Sequence, residues 1–242
     1  RRFLNLIGGY TYSKNTYSYA AAEVIIPHVL GNFYNFLFDT TSWESIKDNT
    51  SLLLAFGGIP LKNGQISQGG VGSHIQKDYL KKAALNGVKF INISPLKSDL
   101  EAAENTEWLP LKPNTDVALM LAICYELHQS GMTNKGFIEK YTVGFEKFID
   151  YLNGSSDGVI KNADWASKIV GISRKVISEL INEIKNSDRT MISVSWSLTR
   201  QSHDEQPYWA AIALASIIGD IGKPGGGIGF GYSAMNSIGN HY

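Results

Sequence analysis

The sequence predicts an α/β fold, a doubly wound, mostly parallel sheet with helices on both faces. Three observations predict it. Short apolar runs at residues 51–56, 88–93 and 190–196 carry strand-forming residues, and the first two stop on Gly57-Gly58 and Ser94-Pro95. Runs of this kind suit strands buried on both sides. Helix-length segments separate them, and the order is strand, helix, strand, four helices, strand, helix. That alternation is the pattern of an open parallel sheet.

Each element has a local justification. Residues 8–17 have loop chemistry and give way to Ala20-Ala21-Ala22-Glu23-Val24-Ile25-Ile26, a helix that Asn15, Thr16 or Ser18 could cap. Pro27 is expected to end or kink it. Residues 78–86 form a helix that closes on Asn86-Gly87. Residues 116–130 form the strongest helix, opened by Asp116 and followed by Gly131. Residues 134–141 and 163–170 are further helices. In 173–186, Ser173 is an N-cap, and Val176, Ile177, Leu180, Ile181 and Ile184 make one apolar stripe. Residues 205–218 form a buried helix carrying Trp209, with Pro207 tolerated in the first turn.

Composition excludes several classes of function. Lys plus Arg is 22 and Asp plus Glu is 22, so formal charge is zero. That argues against nucleic acid or an acidic lipid surface as the main partner, because both need a basic excess. Apolar residues reach 43% and charged residues 18%, enough for a core and without a signature of disorder. A single cysteine, Cys124, excludes an internal disulfide framework and any multi-cysteine zinc or iron–sulfur site. The apolar run 209–218 is too short for a membrane span. With no initiator Met and a structured opening segment, the chain reads as an interior piece of a longer polypeptide. Gly222-Lys223-Pro224-Gly225-Gly226-Gly227 lacks the Ser/Thr that closes a P-loop, and no strand leads into GxGxxG. The histidines at 28, 74, 128, 203 and 241 show no paired-ligand spacing, and there is no GxSxG elbow.

Doubly wound sheets bind ligands outside the carboxyl ends of their strands. Three such ends are candidates: residues 57–63, 94–99 and 196–201. Lys62 and Arg200 could face phosphate groups; Asp99 or Asp116 could take a sugar hydroxyl or a base edge. Against this stands the plainer reading of both cations as solvated surface. By itself the pattern is a weak nucleotide signal.

Five segments carry a stronger one: Tyr17-Ser18-Tyr19-Ala20-Ala21-Ala22 running on to Ile26-Pro27-His28-Val29-Leu30-Gly31; residues 108–121; Lys140-Tyr141-Thr142-Val143-Gly144-Phe145; residues 196–206; and residues 218–227. In order and spacing, over nearly the whole chain, they resemble the molybdopterin oxidoreductases of the dimethyl sulfoxide reductase type. The likeness is to the trimethylamine N-oxide and biotin (methionine) sulfoxide reductase branch.

The resemblance implies a bis(molybdopterin guanine dinucleotide) molybdenum cofactor and puts the metal-ligating serine at Ser18. A serine alkoxide is a hard donor suited to a high-valent metal, whose charge keeps the hydroxyl deprotonated. The plainer reading is a helix cap. Lys62 and Asn63 match a phosphate-side contact, and Ile93 and Ser94 match the end of the second strand. Asn114-Thr115-Asp116 resembles the family's Pro-Gly-Thr-Asp, whose aspartate reads guanine; Asp116 could equally cap its helix. Trp196, Ser197 and Arg200 match residues that pack and hydrogen-bond the cofactor near the metal, with core packing the alternative for Trp196. There are departures. Ile59 stands where relatives carry Asp or Asn, and Ser94 replaces an acidic residue for which Ser98 or Asp99 could substitute. Asn114 replaces Gly, and Thr199 replaces Gln. His203, Glu205 and Gln206 fit the pattern but receive no chemistry.

The function implied is reduction of a small-molecule S-oxide or N-oxide by oxygen-atom transfer, releasing a thioether or amine, with an electron donor the sequence does not name. This chain would be a central fragment of that enzyme, inactive alone. Residues 1–31 would belong to a neighbouring domain carrying the ligand serine, 32–204 to a dinucleotide-binding-like α/β domain, and 205–242 to a return into flanking strips of the second α/β domain. The alternative is a nucleotide-binding α/β module without redox activity.

Overall fold

A computed structural model describes residues 1–66, 72–101 and 106–240. At its centre Leu52–Phe56 (β1) is buried along its whole length, with Lys89–Ile93 (β2) on one side and Thr190–Val194 (β4) on the other. Thr106–Leu109 (β3) extends the sheet beyond β2 and Gly227–Phe230 (β5) extends it beyond β4. The order is β3-β2-β1-β4-β5 and every pairing is parallel. The chain therefore builds outward from β1 in one direction, then returns to build in the other. The reversal lies between β1 and β4, where such sheets open a crevice at the carboxyl ends of their strands.

The three central strands match the three apolar runs. The edge strands were not anticipated. β3 (Thr-Glu-Trp-Leu) shows two exposed residues and only one buried one, so it has no apolar run to find. Its Glu107 pairs with Lys89 at 3.3 Å, and Glu183, from a helix packed beside the sheet, pairs with the same lysine at 2.8 Å. β5 (Gly-Ile-Gly-Phe) is half glycine, which ordinarily weakens a strand. Gly229 is required there, because a Cβ would collide with Met191, Thr40 and Tyr232.

Around the sheet the helices are Arg2–Leu6 (α1), Ala20–Val29 (α2), Phe33–Phe38 (α3), Trp43–Asn49 (α4), Gln76–Leu85 (α5), Asp116–Gln129 (α6), Lys135–Tyr141 (α7), Phe145–Leu152 (α8), Ala163–Val170 (α9), Arg174–Lys185 (α10) and Gln206–Ile218 (α11). The capping expectation holds at α10, where Ser173 Oγ accepts from Val176 N. It fails at α2. The N-cap there is Tyr19, without a side-chain bond, and none of Asn15, Thr16 or Ser18 caps the helix. Nor does Pro27 end it. The helix runs on to Val29, because a proline in the last turn removes only the bond to the Glu23 carbonyl. α3, α4 and α8 were not anticipated; α3 and α4 are short and start on Asn32 and Ser42 caps. α11 buries Tyr208, Ala211, Leu214 and Ala215 and packs on α6, but Trp209 is 50% exposed. The helix is buried over most of its length, as expected; Trp209 is an exception and looks outward.

Candidate active site

Two glycines bring the strand ends together. Gly57 and Gly58 follow β1 with φ of +80° and +74°, left-handed values that disfavour other residues. A Cβ on Gly57 would come within 2.7 Å of Ser195 Cβ and of Ser197 Oγ, and one on Gly58 would collide with Asp99. The loops after β1, β2 and β4 thus touch at a point that only backbone can occupy. Gly57 N donates to the Ile93 carbonyl and Ser195 N to the Phe56 carbonyl, both at 2.9 Å. Ile59 N donates to the Asp99 carbonyl at 2.7 Å, and the Ile59 side chain is buried. That position serves the core, which explains why it is apolar.

On the β2 side, Ile93 is core, and Ser94 is 1% exposed. Ser94 Oγ donates to Asp99 Oδ2 at 2.5 Å, and Trp108 Nε1 donates to the Ser94 carbonyl at 2.9 Å. The Ser94 hydroxyl is therefore committed, while Asp99 is the carboxylate held at this strand end. Lys62 and Asn63 lie exposed on the turn after β1.

At the start of α6, Asn114 has φ +64°, the left-handed conformation that asparagine tolerates better than most residues. This is the physical reason asparagine can hold a position where the resemblance leads one to expect glycine. Thr115 is the N-cap residue, without a side-chain cap bond, and its Oγ1 donates to the Lys112 carbonyl at 2.6 Å. Asp116 is the first helical residue and 6% exposed. Burial pushes its pKa up to about 6. Its carboxyl forms no ion pair among the described residues.

After β4 comes a 3-10 turn, Trp196–Thr199. Ser195 Oγ accepts from Ser197 N at 3.2 Å and from Ser197 Oγ at 3.1 Å. The Trp196 ring packs edge-on against Tyr19, centroids 4.7 Å apart, and against Phe230 at 6.1 Å. Its Nε1 is buried beside Gly231 without a hydrogen-bond partner. Core packing thus accounts for the ring and leaves the N–H unexplained. Arg200 Nη1 donates to the Tyr17 carbonyl at 3.2 Å. Ser18 is half-buried, and its N donates to Thr16 Oγ1 at 2.8 Å. Its hydroxyl bonds to no described residue.

Between these segments lies a cavity of about 590 Å³. One wall holds Ser13, Asn15, Thr16 and Tyr17 with the first turns of α2; the other holds Thr199, Arg200 and Gln201. Asp204 and Glu205 close it, and Asp204 is held above the usual carboxylate range by burial and by the neighbouring Glu205, which also hydrogen-bonds it. Sequence reasoning gave Glu205 no role and passed over Asp204; adjacent acids before a helix look like an ordinary first turn. Of the predicted residues, Arg200 lines this cavity and Ser18 sits between two residues that flank it. Neither the Lys62–Asn63 turn nor the 114–116 segment reaches it.

The family model for molybdopterin oxidoreductases matches residues 1–240. The chain belongs to that family. It is 41% identical over 239 residues to the biotin sulfoxide reductase of Cereibacter sphaeroides, covering 99% of this chain and 32% of that protein. It is 39% identical over 241 residues to the trimethylamine-N-oxide reductase of Haemophilus influenzae, covering 98% and 28%. The chain thus spans about a third or less of the length of these relatives. The acetylene hydratase of Pelobacter acetylenicus has the same fold, with a TM-score of 0.64 over 92% of this chain and 28% of that one, at 22% identity.

Membership implies a molybdenum–molybdopterin cofactor, and the residues present fit one. The Trp196 N–H is a buried donor without a partner. The Ser18 hydroxyl is an oxygen that no described residue engages, and Arg200 beside it lines the cavity. Among the described residues, no helix is long and apolar enough to cross a membrane.

Proposed function

We propose that this chain is the part of a molybdenum-dependent S-oxide or N-oxide reductase that holds one guanine dinucleotide form of the pterin, with Ser18 as the protein's ligand to the metal. The observation that carries this reading is the near-complete match of the chain to two reductases of such oxides. When bound, the cofactor would supply two-electron oxygen-atom transfer, the oxide becoming a thioether or amine and its oxygen leaving as water with two protons and two electrons from a reductant. The chain's own residues do the rest. Ser18 gives up its hydroxyl proton to become a hard oxygen donor. Arg200 fixes the Tyr17 carbonyl and so holds the backbone leading into Ser18; its remaining N–H groups are free for phosphate. Trp196 Nε1 donates to the cofactor, and Ser197, whose N–H and hydroxyl hold Ser195, packs against it. Lys62 and Asn63 meet phosphate, and the backbone at Ile93, Ser94, Asn114 and Thr115 frames the nucleotide. Asp116, ionised by binding, accepts the two N–H groups of guanine.

The second dinucleotide of a bis form and most of the groups that admit substrate would come from outside this chain. Residues 1–31 and 205–242 would connect to a neighbouring domain, with 32–204 as the nucleotide-binding unit. The test is the complete polypeptide, purified and assayed for molybdenum and for the nucleotide released by acid. Molybdenum together with GMP, and turnover of S-oxides or N-oxides, is the expected result. A metal-free protein that binds nucleotide alone would replace this reading with a binding module lacking redox activity.

A further inference from the structure

Thr199 ends the 3-10 turn after β4, lines the cavity beside Arg200, and is 4% exposed. Its Oγ1 lies 2.7 Å from the Tyr208 hydroxyl. Tyr208, in the first turn of α11, is fully buried. Its other oxygen neighbours are the Ser195 and Trp196 carbonyls, at 3.3 and 3.5 Å. Both are hydrogen bonds the phenol can donate, but both are longer than the roughly 2.5–3.0 Å of a good O–H···O bond, and of the two directions open to the 2.7 Å contact the geometry favours Tyr208 donating to Thr199. A phenol is a better donor than an aliphatic hydroxyl, and burial keeps this one protonated by pushing its pKa up. A threonine hydroxyl carries one proton and two lone pairs. Having accepted from Tyr208, Thr199 keeps its proton, and no other described residue takes it.

We propose that Thr199 donates a hydrogen bond to the oxide oxygen of a substrate in this cavity, and that Tyr208 is the positioning residue that turns it there. This rests on the reductase reading above. The oxygen of an S-oxide or N-oxide is a strong acceptor in a molecule of no net charge. Thr199 and Arg200 put two donors on one wall, while Asp204 and Glu205 offset the guanidinium charge.

The experiment uses the complete, cofactor-loaded protein with T199V, T199S and Y208F. It measures KM and kcat for an S-oxide, and the inhibition constants of dimethyl sulfone and dimethyl sulfide. The sulfone presents the same kind of oxygen; the sulfide has none. In T199V, KM should rise and sulfone binding weaken by about tenfold each, the effect of one hydrogen bond. Sulfide binding and molybdenum content should hold steady. T199S should behave as wild type, and Y208F should weaken sulfone binding severalfold without affecting sulfide. Wild-type KM and sulfone affinity in T199V would overturn the proposal, as would equal weakening of sulfone and sulfide, which marks general damage to the cavity. Unchanged sulfone binding in Y208F would remove Tyr208 from the role. A wild-type protein that reduces no oxide would count against the reductase reading instead.

Discussion

The guanidinium of Arg200 donates to the carbonyl of Tyr17 at 3.2 Å, joining residues 183 apart in sequence. The bond ties the turn after β4 to the segment just before Ser18, so two distant pieces of chain form facing walls of one cavity. Arginine suits this post: one arm can hold the carbonyl while the rest of the planar fork remains available.

Arg200→Lys should therefore separate binding from folding. A lysine ammonium is a point charge without the fork, so molybdenum content of the complete protein should fall severalfold. Arg200 is exposed and in no ion pair among the described residues, so stability should stay within about 0.5 kcal/mol. Metal analysis and urea unfolding on the same preparation check both halves.

Ser18→Ala should abolish oxide reduction and leave the fold untouched. The hydroxyl caps no helix and bonds to no described residue, so removing it should shift unfolding by under about 0.5 kcal/mol. Loss of a true N-cap would cost about 1 kcal/mol. Full activity in this variant would refute the ligand assignment; a cap-sized loss of stability would revive the simpler role.

Asp116→Asn should stabilise the protein at neutral pH while weakening its hold on guanine. The folded pKa, about 6, lies above the ordinary 3.8 because the carboxylate is desolvated. A raised pKa contributes stability that is present below the unfolded value and is lost as pH rises through the folded one. The wild type should thus lose stability between about pH 4 and 6, by an amount on the order of 2–3 kcal/mol. Asparagine carries no such charge, so the variant should be the more stable at pH 7.5, with the gap closing below about pH 4. Unfolding curves across that range give the sign, and nucleotide content of the complete protein gives the cost.

Gly57→Ala should be much worse than Gly87→Ala. Both glycines have positive φ, +80° and +93°, so both substitutions carry backbone strain of about 1 kcal/mol. Only Gly57 has neighbours in the way: Ser195 and Ser197 at 2.7 Å, against open space at Gly87. Gly57→Ala should cost about 2–4 kcal/mol, measured by chemical denaturation. Equal losses at the two sites would mean that the strand ends are not in close contact.

The sequence by itself determined the centre of the sheet and most of the long helices. β1, β2 and β4 are buried on both sides, so their residues had to be apolar in unbroken runs, and α10 announces its start with the Ser173 cap. Its family resemblance puts the expected metal ligand at Ser18, although the local pattern by itself favoured a helix cap, a role the Ser18 side chain does not take in the structure. The edge strands β3 and β5 were decided by tertiary structure. One is exposed and polar; the other is glycine-rich because Met191, Thr40 and Tyr232 crowd it.

Tertiary structure also decided which candidates share a cavity. Arg200 meets Tyr17, Thr199 meets Tyr208, and Asp204 and Glu205 close the space, whereas Lys62 and Asp116 lie elsewhere. The physical reason is one of range. Periodicity and caps record burial and hydrogen bonding along a few successive residues. A cavity is made by contacts between loops, set here by two glycines that admit no side chain and by one bond spanning most of the chain.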